Sequence, residues 1–428
     1  MEALDHNFTR RRVNQLAAAT VISLFILGLS VLPVVMASSS ELRLPNAVLP
    51  LEYITHPNGK PGGGGHGGGG SCVTTLPAPT GVSYTPSQIE AAYGFNTAAT
   101  GAGETIAIID AYGSPTLTSD LNCFDSQFGL PPANLQVVQP FGKTHGSNSN
   151  WGLETSLDVE WAHAMAPAAK LLLIVTPSAS LQYLVNDAVP YAVQNGANVI
   201  SMSWGAAESG SSCSTWTSES SYFANAVSAG AVPVAASGDS GANDGTSSPT
   251  VNYPASDPSV LGVGGTTLTL TPSNTWSSEV VWNDQYGASG GGVSACFSEP
   301  TYQSSSSIEV TTSSGSLYPS TRAVPDVAYN ADVLTGYWVY DTSGFSGWVQ
   351  VGGTSAGAPQ WSAIIADAKS AGDSISGSSV HTQAYSLIGS TAVHDITSGN
   401  NGYYYATAGY DATTGVGSPV EANVIASW

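Results

Sequence analysis

Residues 351–359, VGGTSAGAP, set Ser355 among small residues just before an apolar run that continues to Ala368. A serine placed so at the head of a helix keeps its hydroxyl exposed. Neighbouring backbone N–H groups and the helix N-terminus can then hold an oxyanion, which is the setting of an acyl-transfer nucleophile. Such a serine needs a base. The run WGLETSLD, Trp151 to Asp158, puts Glu154 and Asp158 four residues apart and so on one face of a helix. On a solvated face the pair would be inert. Here Trp151, Leu153, Leu157, Val159 and Trp161 surround it, and two carboxyls that close share a proton, which raises one pKa. A third carboxyl, Asp239 in AASGDSG, follows directly on an apolar run, where Asp beside Gly commonly makes a turn or cap. Near the C-terminus, Asp395 and Asp411 stand in glycine-rich turns that present carbonyls, a donor set that suits Ca²⁺ as well as plain turns.

A frame must bring these residues together. TIAIID (105–110), KLLLIVT (170–176), NVISMS (198–203) and AVPVAA (231–236) read as buried strands, while 153–166, 180–194 and 216–229 carry helical spacing. Continuous apolar strands separated by helices predict an α/β domain with a mostly parallel sheet and helices on both faces. In such sheets ligands bind beyond the carboxyl ends of the strands, and the candidate residues lie just past these strands or on adjacent helices. Residues 266–324 turn Ser/Thr/Gly-rich and carry Trp276, Trp282, Tyr286, Phe297 and Tyr302; they read as long surface loops or a small β excursion within one domain. No internal repeat is apparent.

With 42% hydrophobic and only 9% charged residues over 428 positions, the chain has ample surface to bury, which excludes disorder for most of it. Thirty acidic residues against nine basic ones give a net charge of −21, which argues against nucleic acid as a partner. Beyond residue 71 the cations are Lys143, Lys170, Arg322 and Lys369 alone, against 26 carboxylates. Such a surface repels itself at neutral pH and approaches neutrality in acid, which fits a protein working in acid or simply an acidic exported one. Arg10, Arg11 and Arg12 precede an apolar run from Leu16 to Met36, so residues 1–37 read as a cleaved secretory signal or an uncleaved membrane anchor. Residues 38–80, with Pro45, Pro50, Pro57, Pro61 and the glycine run 62–70, interrupted only by His66, read as a Pro/Gly-rich linker. His56 and His66 within it read as solvated. Four cysteines, Cys72, Cys123, Cys213 and Cys296, in an exported chain predict disulfides in any of three pairings.

The Gly-Thr-Ser-x-x-x-Pro segment resembles the subtilisin-like superfamily, yet none of the seven histidines sits in a His-Gly-Thr segment. In subtilisins the strand end that corresponds to Asp239 offers an Asn amide to the oxyanion; an Asp can do so only when protonated. The order Glu154/Asp158, Asp239, Ser355 resembles the sedolisin family of serine-carboxyl peptidases, which includes kumamolisins and a tripeptidyl peptidase branch. The likeness runs from about Tyr84, in YTPSQIEAAYGF, to the C-terminus, so residues 81–428 read as a sedolisin-like peptidase domain.

That resemblance implies Ser355 as nucleophile, Glu154 as its general base, Asp158 as the carboxyl orienting the base, and Asp239 as the oxyanion-hole acid. It implies an extended proton network through Asp110 and Trp204, whose structural alternatives are a strand cap and a cleft wall. It also implies one structural Ca²⁺ held by the carboxylates of Asp395 and Asp411 and the carbonyls of Ile396, Thr407 and Gly409; the family often has Gly where Thr407 stands. Sedolisins typically carry a large N-terminal prodomain, which residues 38–80 do not resemble, so the expectation is either that the protein folds without a proregion or that its activation differs. The expectation is an exported, monomeric, acid-active endopeptidase on protein or peptide substrates, with a bell-shaped pH profile peaking well below pH 6. Two other readings are a catalytically silent surface-binding protein on the same scaffold and a glycosidase using Glu154 and Asp158. The latter is poorer, because carboxyls on adjacent helical turns cannot flank a sugar and also explain Ser355.

Overall fold

The apolar alternation of the strand at 105–111 sets the architecture. Ile106 and Ile108 pack into one core with Leu153, Leu157, Ile364 and Ile365. Ala107, Ile109 and Ala111 pack into another with Val189, Ala192, Trp216 and Phe223. A strand buried on both faces in this way belongs inside a sheet covered twice. The structure, a computed structural model, describes residues 44–55, 72–144, 146–210 and 213–428. The signal or anchor assigned to residues 1–37 lies outside the described residues, as do His56, His66 and the glycine run. Among the described residues no helix is long and apolar enough to cross a membrane.

The strands that matter to the site are β1 (Glu52–Ile54), β2 (Val82–Tyr84), β3 (Thr105–Ala111), β4 (Asn134–Val138), β5 (Lys170–Thr176), β6 (Val199–Met202), β7 (Val232–Ala236), β8 (Leu261–Leu270), β9 (Trp276–Val281), β10 (Val327–Asn330), β11 (Thr335–Asp341) and β12 (Gly347–Gly352). The helices are α1 (Leu117–Phe128), α2 (Ser149–Met165), α3 (Ala188–Gln194), α4 (Cys213–Ser228) and α5 (Gly357–Ala371). The main sheet runs β9-β8-β7-β6-β3-β5-β4, with β10 beside β8; every pairing is parallel except β8 with β9. Helices α2 and α5 cover one face, α3 and α4 the other. The predicted α/β architecture and its four buried strands are therefore present. The predicted helix at 180–194 begins with a π-helical turn, Gln182–Asp187.

A second sheet, β1-β12-β11-β2, delivers the chain to Ser355. Residues 266–324 divide: β8 and β9 extend the main sheet and Trp282 is fully buried, while strands 292–298 and 321–324 pair with each other. The excursion is β structure more than surface loop.

The linker reading of residues 38–80 needs correction. Val48 and Gly205 exchange backbone hydrogen bonds at 2.7 and 3.0 Å, and the Ala47 N–H donates to the Ala179 carbonyl at 2.8 Å. Strand β1 lies antiparallel to β12, with Glu52 opposite Gly352. Leu44, Leu49, Leu51 and Tyr53 pack against the two cores. These apolar side chains seat the segment, and averaging them with the glycine run hides that signal. Residues 72–80 are also bound to the domain: Cys72 bridges Cys123 on α1, and the Trp348 indole donates to the Val73 carbonyl at 2.7 Å. The second disulfide joins Cys213 to Cys296. The described residues from 44 onward cluster as one unit, which begins well before residue 81.

Candidate active site

Helix α2 starts where the Asn148 side chain accepts from the N–H groups of Asn150 and Trp151 at 3.0 and 3.2 Å. Every residue from Trp151 to Met165 is buried, so the face holding Glu154 and Asp158 is not solvated. Both Glu154 oxygens lack a hydrogen-bond partner at ordinary distance. Burial holds the Glu154 pKa well above its usual value, Asp158 and Asp110 add to the rise, and the adjacent Ser355 hydroxyl works against it. Burial and Asp110 likewise raise Asp158, against which Ser203 donates a hydrogen bond at 2.8 Å. Asp110, near the end of β3, is fully buried and pushed up to about 7 by desolvation. The three carboxyls thus form one titrating group in a low-dielectric pocket. Trp204 is fully buried, but its indole N–H is spent on the Ile109 carbonyl at 2.7 Å. It braces β3 beside Asp110, and the indole proton is not offered to a carboxyl.

Ser355 sits in a short 3₁₀ turn, Thr354–Ala356, between β12 and α5. Its hydroxyl is 3.5 Å from the Ser203 carbonyl, and its N–H donates to the Pro50 carbonyl at 3.3 Å. Asp239 leaves the end of β7 and accepts from both the N–H and the hydroxyl of Thr354, each at 2.8 Å. Its other oxygen is buried without a partner. Burial pushes the Asp239 carboxyl up to about 7 despite the Thr354 bonds. Gly353, at φ +105°, explains the glycine at this turn: a Cβ there would meet the Pro50 oxygen at 2.2 Å and Asp239 Oδ2 at 2.5 Å. The free Asp239 oxygen and the carbonyl at the Ser355 N–H therefore share one small space.

The described histidines are engaged elsewhere. His163 bonds the Pro131 carbonyl, His381 the Val260 carbonyl, and His394 stacks on Trp276. Two site residues were missed from sequence. Ser203 stands in the same SMSWG run as Trp204, which was its signal. Thr354 is part of the Gly-Thr-Ser segment, but its tie to Asp239 is made only by the fold.

Of the candidate calcium residues, the structure brings Asp395 and Gly409 into contact. The Gly409 N–H donates to Asp395 at 3.0 Å, and buried Asp411 accepts from the N–H groups of Thr413 and Thr414, both at 2.9 Å. Among the described residues no group of three or more His, Cys, Asp or Glu could hold a metal. A Ca²⁺ site built mainly from carbonyls needs no such group. The carbonyls of Ile396, Thr407 and Gly409 accept no hydrogen bond among the described residues, which leaves these oxygens free. The donor set fits the ion.

A mostly parallel α/β sheet with a serine turn at the head of a buried helix, beside buried carboxyls, places the chain in the subtilisin-like class. The solved Pseudomonas sedolisin, a serine-carboxyl proteinase complexed with pseudo-iodotyrostatin, is similar to it, with a TM-score of 0.71 at 33% identity over 81% of this chain and 98% of that one. Residues 144–417 match the subtilase family, and the chain belongs to that family, in its sedolisin branch. Kumamolisin of Bacillus sp. (strain MN-32) is 34% identical over 362 residues, covering 80% of this chain and 63% of its own. Sedolisin of Pseudomonas sp. (strain 101) is 34% identical over 407 residues, covering 88% and 66%. Xanthomonalisin of Xanthomonas sp. (strain T-22) is 31% identical over 402 residues, covering 81% and 46%. The chain thus spans about two thirds or less of these relatives' lengths.

Proposed function

We propose that the chain is an exported, acid-active serine-carboxyl endopeptidase that works as a monomer on protein or peptide substrates. The observation that carries this reading is Ser355 lying between a buried carboxyl pair and a buried, raised Asp239, with its N–H already holding a peptide carbonyl. Glu154 takes the hydroxyl proton as Ser355 Oγ attacks the peptide carbonyl. Asp158, fixed by Ser203, shares the charge with Glu154. The Ser355 N–H and protonated Asp239 hold the oxyanion, and Glu154 returns the proton to the leaving amine. Water then hydrolyses the ester by the same transfers in reverse order. Two disulfides support an oxidising compartment.

The rate is expected to rise as the Glu154–Asp158–Asp110 group loses its first proton and to fall as Asp239, pushed up to about 7 by burial, ionises. In Asp239→Asn a permanent amide donor replaces the titrating acid. The wild type is expected to lose about tenfold in kcat per pH unit above the Asp239 pKa, and the variant not to. A variant whose alkaline limb is unmoved would remove Asp239 from the oxyanion role.

Asp395 and Asp411, with the carbonyls of Ile396, Thr407 and Gly409, would hold one Ca²⁺ whose work is to pin the C-terminal loops. Chelation is expected to lower Tm by about 5 °C, reversed by added Ca²⁺ and not by Mg²⁺. A Tm unchanged by chelator at saturating concentration would reject the ion.

A further inference from the structure

Asp239 has two oxygens, and the turn beside it treats them differently. The N–H and the hydroxyl of Thr354 both donate to Oδ1, each at 2.8 Å. The same hydroxyl accepts from the Gly238 N–H at 3.0 Å, so its single proton is left for Asp239. Gly238 and Asp239 thus close a hydrogen-bonded ring through the Thr354 side chain, which ties the end of β7 to the turn of Ser355. An oxygen with both lone pairs engaged by donors is the carbonyl oxygen of a protonated acid, and the acid's own proton sits on the other one. That other oxygen, Oδ2, is buried without a hydrogen-bond partner. It borders the space at Gly353 that the Pro50 carbonyl also reaches, 3.3 Å from the Ser355 N–H.

We propose that Thr354 is a positioning residue that fixes the proton of the oxyanion acid on Oδ2 of Asp239, the oxygen turned toward the developing charge. The proposal deepens the peptidase reading of this site and rests on it. The ring has a second consequence, at the alkaline end of the rate profile. The bonds that place the proton also favour the ionised carboxylate, against burial. The charged groups that face Asp239 act with burial: Glu52 on β1 and Asp244 in the turn that follows both hold the proton on. Glu154 on α2, which Asp239 influences in turn, is a third carboxyl of the same sign. Without the Thr354 hydroxyl, the acid is therefore both less well aimed and harder to ionise.

Two measurements test this. Thr354→Val removes the hydroxyl and keeps the branched shape and the N–H bond to Asp239. With a short fluorogenic peptide, kcat at the optimum is expected to fall about tenfold with KM within about twofold, because only the transition state carries the oxyanion. The alkaline limb is expected to move up by about one pH unit, and Thr354→Ser to return both changes. In an Asp239→Asn background, where nothing titrates at this position, Thr354→Val should leave the alkaline side in place. A limb that stays or moves down in Thr354→Val, or a serine that returns neither change, would overturn the positioning role and leave the peptidase standing. Independently of turnover, infrared spectra of Ser355→Ala at acid pH report the Asp239 carbonyl stretch, assigned by its loss in Asp239→Asn. Loss of one donor to Oδ1 is expected to raise that stretch in Thr354→Val. Thr354→Ala, which buries no new methyl, takes its place if the valine variant does not fold. An unmoved band would overturn the proposal whatever the kinetics. If the band moves but neither wild type nor variant cleaves peptide between about pH 2 and 8, the peptidase reading falls and takes the positioning role with it.

Discussion

Glu154→Gln is expected to lower kcat on any peptide substrate by about a thousandfold or more, at every pH. The amide keeps the shape of the side chain and cannot accept the Ser355 proton. Loss of rate alone would not separate a chemical role from a damaged fold, so the second half of the expectation is a gain. Glu154 is fully buried, its oxygens have no ordinary hydrogen-bond partner, and burial together with Asp158 and Asp110 holds its pKa up. Replacing it by a neutral group relieves that cost, so the variant's Tm at neutral pH is expected to equal or exceed the wild type's. Near-normal turnover in Glu154→Gln would exclude the carboxyl as base. Ser355→Ala should match the loss in rate.

The second large effect is a reversed dependence of stability on pH. Most proteins lose stability in acid because paired carboxylates must protonate. Here burial raises Asp110, Asp239 and Asp125 to about 7, Asp257 to about 6 and Asp367 to about 9. A carboxyl whose folded pKa lies above its unfolded one binds more protons in the folded state across the window between them. Stability is therefore full below about pH 4 and drains as pH rises through 6 to 9. Asp110, shifted from 3.8 to about 7, is by itself worth on the order of 4 kcal/mol. Asp326 runs the other way: burial would raise it, but Arg322 and His381 outweigh that and hold it at about 2, so its contribution is lost only in strong acid. Ser355→Ala, which cannot digest itself, is expected to melt at least about 10 °C higher at pH 4 than at pH 8. Equal or inverted melting temperatures would mean that these acids are not protonated in the folded state.

Much of the site was legible because its signals are local. The Gly-Thr-Ser turn and the four-residue spacing of Glu154 and Asp158 each fit within one helical turn or two. The apolar runs of β3, β5, β6 and β7 identify strands buried on both faces. What stayed hidden depends on distant partners. Ser203 and Thr354 look like ordinary hydroxyls until the fold sets them against Asp158 and Asp239. The indole proton of Trp204 goes to a carbonyl on β3, a destination that no spacing announces. Four cysteines permit three pairings, and only tertiary packing selects Cys72 with Cys123. The segment at 44–54 was hidden differently: six large apolar residues among prolines were outweighed by the glycines that follow.

The bridge between Cys72 and Cys123 also decides what a cut in that glycine run would do. The downstream end stays fastened to α1 by sulfur, while residues 44–54 are held by main-chain bonds and by the packing of Leu44, Leu49, Leu51 and Tyr53. Before such a nick these contacts are made within one chain; afterwards residues 44–54 belong to a separate chain, whose hold on the domain depends on concentration.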